Sequence, residues 1–394
     1  MLRGQSILCF APDPWNDIWR NRHQIMSRLA RENQVLYVEP RAYLRPVLAQ
    51  LFGGKLSPRE LGAKLYEPRP GLYVFRPPRY APLAGREPLR TLLDSLRAAS
   101  LRKALRRLGM RRPILWLFRP DAADVPGRYG EKLLIYHIVD EYTGYADVDA
   151  QRAQEIARRE RALIARADLV LVTSRRLLES KGGVNPNTYW VPNGVDYMRF
   201  ARAAQGGAEP PEVENLPHPR IGYVGALNDK IDVALLEEVA KAYPQGTLVL
   251  VGPLRLLDED ARRRFTMLCE RPNVLFVGPV PVERVPFFMA ACDVGLLPYR
   301  RNRWTEYIHP LKLYEYLACG LPVVASDIPA AQEEADLLYV AASRGEFVEN
   351  IARALAEDAP MLRRARQQRA AQNTWDQRVA KISELIEKAL REKA

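Results

Sequence analysis

Short apolar runs punctuate the chain at regular intervals. In the first half these are QSILCFAP, QVLYVEP, PILWLF, KLLIYHIVD, LVLVTS and TYWVPNG; in the second they are PRIGYVG, TLVLVGP, NVLFVGPV, VGLLPY and LPVVASD. Each is a few residues long and rich in Val, Ile and Leu, and most end at Gly, Pro or Asp. Such runs read as strands of parallel sheets buried on both faces, since a half-wet sheet would alternate apolar and polar positions. Helical patterns lie between them, among them RNRHQIMSRLARE, DAQRAQEIARRERALIARA, VALLEEVAKAY and RVPFFMAAC. This alternation predicts an α/β fold with parallel sheets.

The alternation breaks at residues 201–219, ARAAQGGAEPPEVENLPHP, which has no strong period and reads as a linker. The 394 residues suit two domains, 1–200 and 220–374. Residues 44–112 depart from the pattern. They hold LRPVLAQLFGGKLSPRELGAKLY, a Pro-rich extended piece, and PLRTLLDSLRAASLRKALRRLG, a basic amphipathic helix candidate. Its Leu stripe is expected to pack on the sheet; its Arg/Lys face suits an anionic membrane surface.

Composition narrows the field. Apolar residues make up 47% of the chain, which argues against gross disorder. The four cysteines (Cys9, Cys269, Cys292, Cys319) form no CxxC pair, so neither a disulfide framework nor a zinc site is expected, and a reducing compartment fits. The apolar run before Asp13 reads as a first strand rather than a secretion signal. No run approaches the roughly 18 apolar residues that span a bilayer. Residues 1–200 carry 34 Lys and Arg against 20 Asp and Glu, and the remainder 25 against 27, so the net charge of +12 sits in the first half. A basic face serves nucleic acid, an anionic lipid or a phosphorylated substrate, or is simply solvated. No GxGxxG follows a strand, which disfavours a dinucleotide oxidoreductase.

The segment with the clearest chemistry is TEYIHPLKLYEYLACGLPVVASD, Thr305 to Asp327. A helix is predicted to start near Pro310 and to end at Gly320, before a buried strand. Free backbone amides and the dipole at a helix start favour a phosphate. His309, Pro310 and Leu311 form that start, and Lys312 adds a full positive charge. Glu315, one turn on, is placed to accept two ribose hydroxyl hydrogen bonds. This segment resembles the donor-site motif of retaining GT-B glycosyltransferases, especially glycosyltransferase family 4 and related bacterial exopolysaccharide and teichuronic-acid enzymes. Their motif is Glu-x7-Glu followed by Gly-x-Pro-Val-Val. Glu315 matches the second, ribose-binding Glu. The first Glu falls at Tyr307, with Glu306 one residue out of register, so the sugar contact and the stereochemistry stay open.

The resemblance extends along the chain. PRIGYVGALNDKIDVALLEEVA resembles the first strand-loop-helix of the C-terminal domain in these enzymes. It implies that Gly225 lets the backbone approach a diphosphate and that Lys230 supplies a cation. Ala226 stands where relatives carry an Arg, and Arg301 or Arg303 is expected to compensate. NVLFVGPVPVERVPFFMAACDVGLLPY resembles the segment framing the nucleotide base, with Val280 and Tyr299 as base neighbours. The Val191–Asp196 run VPNGVD is widespread in GT-B enzymes. NTWDQRVAKISELIEKAL resembles the final helix of relatives, so residues 375–394 are expected to cross back onto the first domain. The implied architecture is GT-B: two Rossmann-like domains with parallel sheets facing across a cleft.

Acceptor-side candidates lie in the first half. Trp15, Trp19 and Arg22 follow the first strand, where the tryptophans suit either a sugar or lipid face or the core. IYHIVDEYTGY puts His137, Asp140 and Glu141 at a strand end, where ligands of α/β sheets sit. An acid there takes or orients the acceptor proton, and Asp140 is the first choice. DVD at 147–149 and DED at 258–260 resemble the Asp-x-Asp metal motif of other glycosyltransferases but fall at helix starts, where acids are favoured anyway. GT-B relatives usually need no metal, so neither a metal nor a cofactor beyond the donor substrate is expected. The combined expectation is a hexosyltransferase-like enzyme of cell-surface polysaccharide synthesis. It moves sugar from a nucleoside diphosphate sugar to a saccharide or polyprenyl-linked acceptor, in the cytoplasm or at the inner membrane face, without nucleic acid. The alternatives are a nucleotide-sugar 2-epimerase of the same fold and a non-catalytic donor-binding partner.

Overall fold

The computed structural model describes residues 1–394 except 54–56, 58, 59, 84–87, 207, 358 and 394. The first sheet is built from β1 (Ser6–Phe10), β2 (Gln34–Val38), β3 (Lys64–Arg69), β4 (Leu72–Arg76), β5 (Ile114–Leu117), β6 (Leu133–Ile138), β7 (Leu169–Val172) and β8 (Thr188–Trp190). Their order is β3-β4-β2-β1-β5-β6-β7-β8, parallel except for the β3–β4 hairpin at one edge. The second half supplies β9 (Arg220–Val224), β10 (Leu227–Asn228), β11 (Thr247–Val251), β12 (Leu254–Arg255), β13 (Val274–Gly278), β14 (Val294–Leu297), β15 (Val323–Ser326) and β16 (Tyr339–Ala341). Six of these form an all-parallel sheet, β13-β11-β9-β14-β15-β16, and β10 pairs with β12 outside it. Both sheets reverse strand order beside their first strand, and ligands of such sheets bind at the strand C-termini there.

Every apolar run named from the sequence is a strand. Most are buried throughout, as a two-faced parallel strand requires. The β3–β4 hairpin lies within 44–112 and has no counterpart in the apolar pattern: β3 reads KLYEPR, mostly exposed, and carries little apolar signal. It is an edge strand, where one wet side and a proline are tolerated.

The helix Trp375–Glu392 opens on a capping box between Thr374 and Gln377. Its Trp375, Val379, Ile382 and Ile386 are buried with Ile7, Cys9, Ile25 and Leu171 of the first domain. The other crossing lies earlier than the compositional break. Val195 and Phe200 are already part of the second core, as is Val213 inside the Pro-rich stretch. Tyr197–Ala204 is a helix packed on that core, so part of 201–219 is folded onto the second domain instead of acting as a tether. The two passages touch: the Val195 amide donates to the Asn373 carbonyl, and the Trp375 amide donates to the Val195 carbonyl.

Candidate active site

The C-terminal ends of both sheets face one cavity of about 880 Å³. From the second domain come Gly225, Lys230, Val280, Tyr299, His309, Pro310, Leu311, Lys312 and Glu315; from the first come Trp15, Trp19, Arg22 and Asp140.

The helix behind its floor is Leu311–Cys319, with Pro310 at its N-cap and Gly320 at its C-cap in the left-handed region, φ 77°. Beyond β9, Gly225 holds φ 152° while its amide donates to the Val251 carbonyl at 2.7 Å. A Cβ there would strike Cε and Nζ of Lys312, so the absent side chain is the space the lysine occupies. Lys312 Nζ lies 5.0 Å from the Tyr223 ring centre. Burial, and then the neighbouring Lys230 charge, push its ammonium well below the ordinary lysine value. Lys230 is lowered too, chiefly by burial, and lies over the rings of Trp304 and Tyr299, 5.1 and 5.8 Å from their centres. Burial raises the Glu315 carboxyl, while Lys312 and Arg199 oppose the rise. The carboxylates that partly oppose these shifts are Glu315 beside Lys312 and Asp140 toward Lys230.

The expected compensation for Ala226 does not come from Arg301 or Arg303. Arg301 hydrogen-bonds the Ala342 carbonyl at 3.2 Å and lies 3.7 Å from Asp327, and neither it nor Arg303 lines the cavity. The cation whose field reaches both Lys230 and Lys312 is Arg20, from the opposite domain. Sequence spacing carries no signal for a partner that far along the chain. Glu306 is exposed and Tyr307 packs on the first domain; neither lines the cavity, so no acid from this turn reaches it. His309 is buried and held neutral, its pKa pushed down to about 3 by burial and Arg378. Its carbonyl accepts from Asn193 of the VPNG turn at 2.6 Å. Tyr299 is buried beneath Lys230 more than it is displayed.

On the first domain, Asp140 has both carboxylate oxygens engaged. Tyr145 donates its hydroxyl to one at 2.9 Å, and the Trp304 indole N–H of the other domain donates to the second at 3.3 Å. The Tyr145 and Trp304 rings lie 4.8 Å apart. The structure does not bring His137 or Glu141 to the cavity with it. Glu141 is buried against Lys181 at 2.9 Å and accepts from Thr143, which together hold it ionised below the usual range. His137 is buried with its ring stacked on Phe118 at 5.1 Å, its pKa pushed down to about 3 by burial. Neither ring nitrogen has a hydrogen-bond partner among the described residues. In a fully buried strand, alternate residues point to opposite faces, and both faces here are interior.

Trp15 belongs to the core, its ring edge-on to Tyr37 at 5.2 Å, whereas Trp19 is half-buried beneath the Arg69 guanidinium at 4.8 Å. Arg22 is buried and paired with Asp13. Asp149 and Asp258 of the two acidic triplets cap helices, accepting from Arg152 and Ala261 amides at 2.8 Å each.

Residues 218–357 match the family model described as Glycosyl transferases group 1. The chain is 27% identical over 272 residues to a putative teichuronic acid biosynthesis glycosyltransferase, TuaH, of Bacillus subtilis, covering 66% of this chain and 65% of that protein's length. Three solved structures agree in fold over nearly their whole length. Sucrose-phosphate synthase from Thermosynechococcus elongatus has TM-score 0.71 and 20% identity, covering 98% of this chain and 100% of that one. Anabaena HepE in complex with UDP and glucose has TM-score 0.65 and 17% identity, covering 97% and 99%. An E. coli trehalose-6-phosphate protein bound with UDP-2-fluoro glucose has TM-score 0.68 and 13% identity, again covering 97% and 99%. With its two Rossmann-like domains the chain has the GT-B fold of these structures, and its residues 218–357 are similar to the domain described as Glycosyl transferases group 1.

Proposed function

We propose that this enzyme transfers a sugar from a nucleoside diphosphate sugar to a saccharide or polyprenyl-linked acceptor in cell-surface polysaccharide synthesis. The observation that carries the reading is the cation cluster against Gly225, where Lys312 and Lys230 share one cavity with Glu315 and, across the cleft, Asp140. The diphosphate lies between the Gly225 turn and the helix start at Leu311, Glu315 takes the ribose hydroxyls, and the base stands near Val280. During transfer the acceptor oxygen bonds to the anomeric carbon as that carbon's bond to the β-phosphate oxygen breaks. Lys312 and Lys230 neutralise the charge left on the diphosphate, the task of an electrostatic catalyst. Asp140 accepts the hydrogen bond of the acceptor hydroxyl and takes its proton as the new bond forms.

The polysaccharide role and the acceptor class rest on the likeness to TuaH, and a uridine donor on the ligands named with HepE and the E. coli protein. A thermal-shift screen against UDP-, GDP-, ADP- and dTDP-sugars tests the donor site. One nucleotide at about 100 times its Kd is expected to stabilise the fold by about 2.7 kcal/mol. No stabilisation by any of the four defeats the reading. Interconversion of the free donor without an acceptor replaces transfer with epimerisation.

A further inference from the structure

The helix Leu89–Arg107 packs part of its Leu pattern against the sheet, through Leu101 and Leu105, and leaves another part exposed. Its core contacts are Leu93, Ala98, Leu101, Ala104 and Leu105, together with the buried Arg97. Leu89, Leu92 and Leu96 instead form an exposed stripe, 47%, 57% and 41% accessible. Further along the same helix, Arg102, Lys103, Arg106 and Arg107 are exposed. No acid of the helix joins them: its one carboxylate, Asp94, is half-buried and tied to Arg97. The apolar stripe also has neighbours. Arg97 donates to the carbonyls of Ala81 and Pro82 at 2.6 Å, and the Leu83 amide donates to the Ala42 carbonyl at 2.8 Å, which brings Tyr43, at the start of the helix Leu44–Phe52, to the same cavity wall as Arg97. There Tyr43, Tyr80 and Phe52 are 64%, 51% and 87% accessible. Large exposed apolar side chains concentrated beside a run of cations are unusual on a soluble face and match a lipid interface, where apolar groups enter the headgroup boundary and cations meet phosphate.

We propose that this face of the first domain docks on an anionic phospholipid surface. Its position gives the docking a purpose that rests on the transferase reading. The inner side of the same helix, with Tyr43, lines a second cavity of about 230 Å³, and Pro12 and Arg119 line both that cavity and the main one. A docked bilayer therefore lies at the entrance of a route that ends at the cleft, suited to an acceptor with an apolar tail and an anionic head.

Flotation of the full chain with phosphatidylcholine vesicles, with and without phosphatidylglycerol, tests the docking without requiring activity. Binding is expected only with the anionic lipid, falling as salt rises. Arg102→Glu with Arg106→Glu should weaken it roughly fivefold per cation removed. Phe52→Asp with Leu92→Asp should abolish it, with an unchanged unfolding midpoint showing that these exposed positions leave the fold intact. Absence of flotation at low salt overturns the proposal. So does equal binding to neutral vesicles, or concentration-dependent self-association that Phe52→Asp removes, which assigns the face to a second copy. Lipid binding without donor binding would leave this inference standing and remove the transferase reading, and the reverse result would do the opposite.

Discussion

The two walls of the cleft are built by different means. On the second domain, the cationic groups lining the cavity lie on two short contiguous segments, Gly225–Lys230 and His309–Glu315, held by a strand end and a helix start. On the first domain, the groups facing them come from three separate stretches: Arg20 and Arg22 at the start of the helix Asn21–Leu29 that follows β1, Arg119 after β5, and Asp140 after β6. Backbone geometry sets the first wall and side-chain pairing sets the second. Arg22 is held by Asp13, and Asp140 by Tyr145 and, across the cleft, by Trp304. A wall made of backbone offers a nucleotide the same surface in any acceptor context, while a wall of paired side chains can be re-specified one loop at a time.

Asp140→Asn is the strongest way to break this division. It should lower transfer by about 10²–10⁴-fold, the range of a lost proton-handling group, while nucleotide stabilisation is retained. Loss of both would place Asp140 on the donor side. Next comes Lys312→Met, expected to reduce kcat by about 10²–10³-fold and to remove the thermal shift caused by the nucleoside diphosphate. A thermal shift that survives would move the diphosphate away from Gly225.

Trp304→Phe keeps the ring and deletes the N–H that reaches Asp140. A loss of about 1–2 kcal/mol in transition-state stabilisation is expected, seen as roughly 5- to 30-fold in kcat/KM. An unchanged kcat/KM would make the tryptophan a packing contact only.

The smallest effect is a proton count. Because Lys312 is lowered in the free protein, the unfolded chain binds more protons than the folded one up to the ordinary lysine value of 10.5. Stability from this residue therefore rises with pH in that window. Glu315 is raised above its ordinary 4.5, so its contribution falls as pH rises through the acid-to-neutral range. A bound diphosphate favours the charged ammonium. Calorimetry of UDP binding at pH 8 in buffers of different ionisation enthalpy should show proton uptake of up to about one, absent in Lys312→Met. Zero uptake in the parent protein would mean that Lys312 is already charged.

The two walls also differ in how far local sequence describes them. On the second domain, Pro310, Lys312, Glu315 and Gly320 obey local rules of helix start and stop, so a linear segment states its own geometry. On the first domain such local rules overreach. They group three polar positions near the β6 end, and only Asp140 of the three reaches the cavity. His137 and Glu141 are interior, their environment set by Phe118 and Lys181 from other parts of the fold. The leucines of Leu89–Arg107 divide for a related reason: Leu93, Leu101 and Leu105 are buried as expected while Leu89, Leu92 and Leu96 are not, since periodicity shows which residues share a face but not how much of it the rest of the fold covers.

The sequence by itself determined the alternation of buried strands and helices, the helix Leu311–Cys319 with its lysine and glutamate, and the excess of positive charge in the first half, because each depends on residues adjacent along the chain. Tertiary structure alone decided that Arg20 lines the same cavity as Lys312, that Trp304 holds Asp140 from the other domain, and that the chain changes domains near Val195 and returns at Trp375. Those are contacts between residues far apart in sequence, and they exist only once two separately folded sheets are brought face to face.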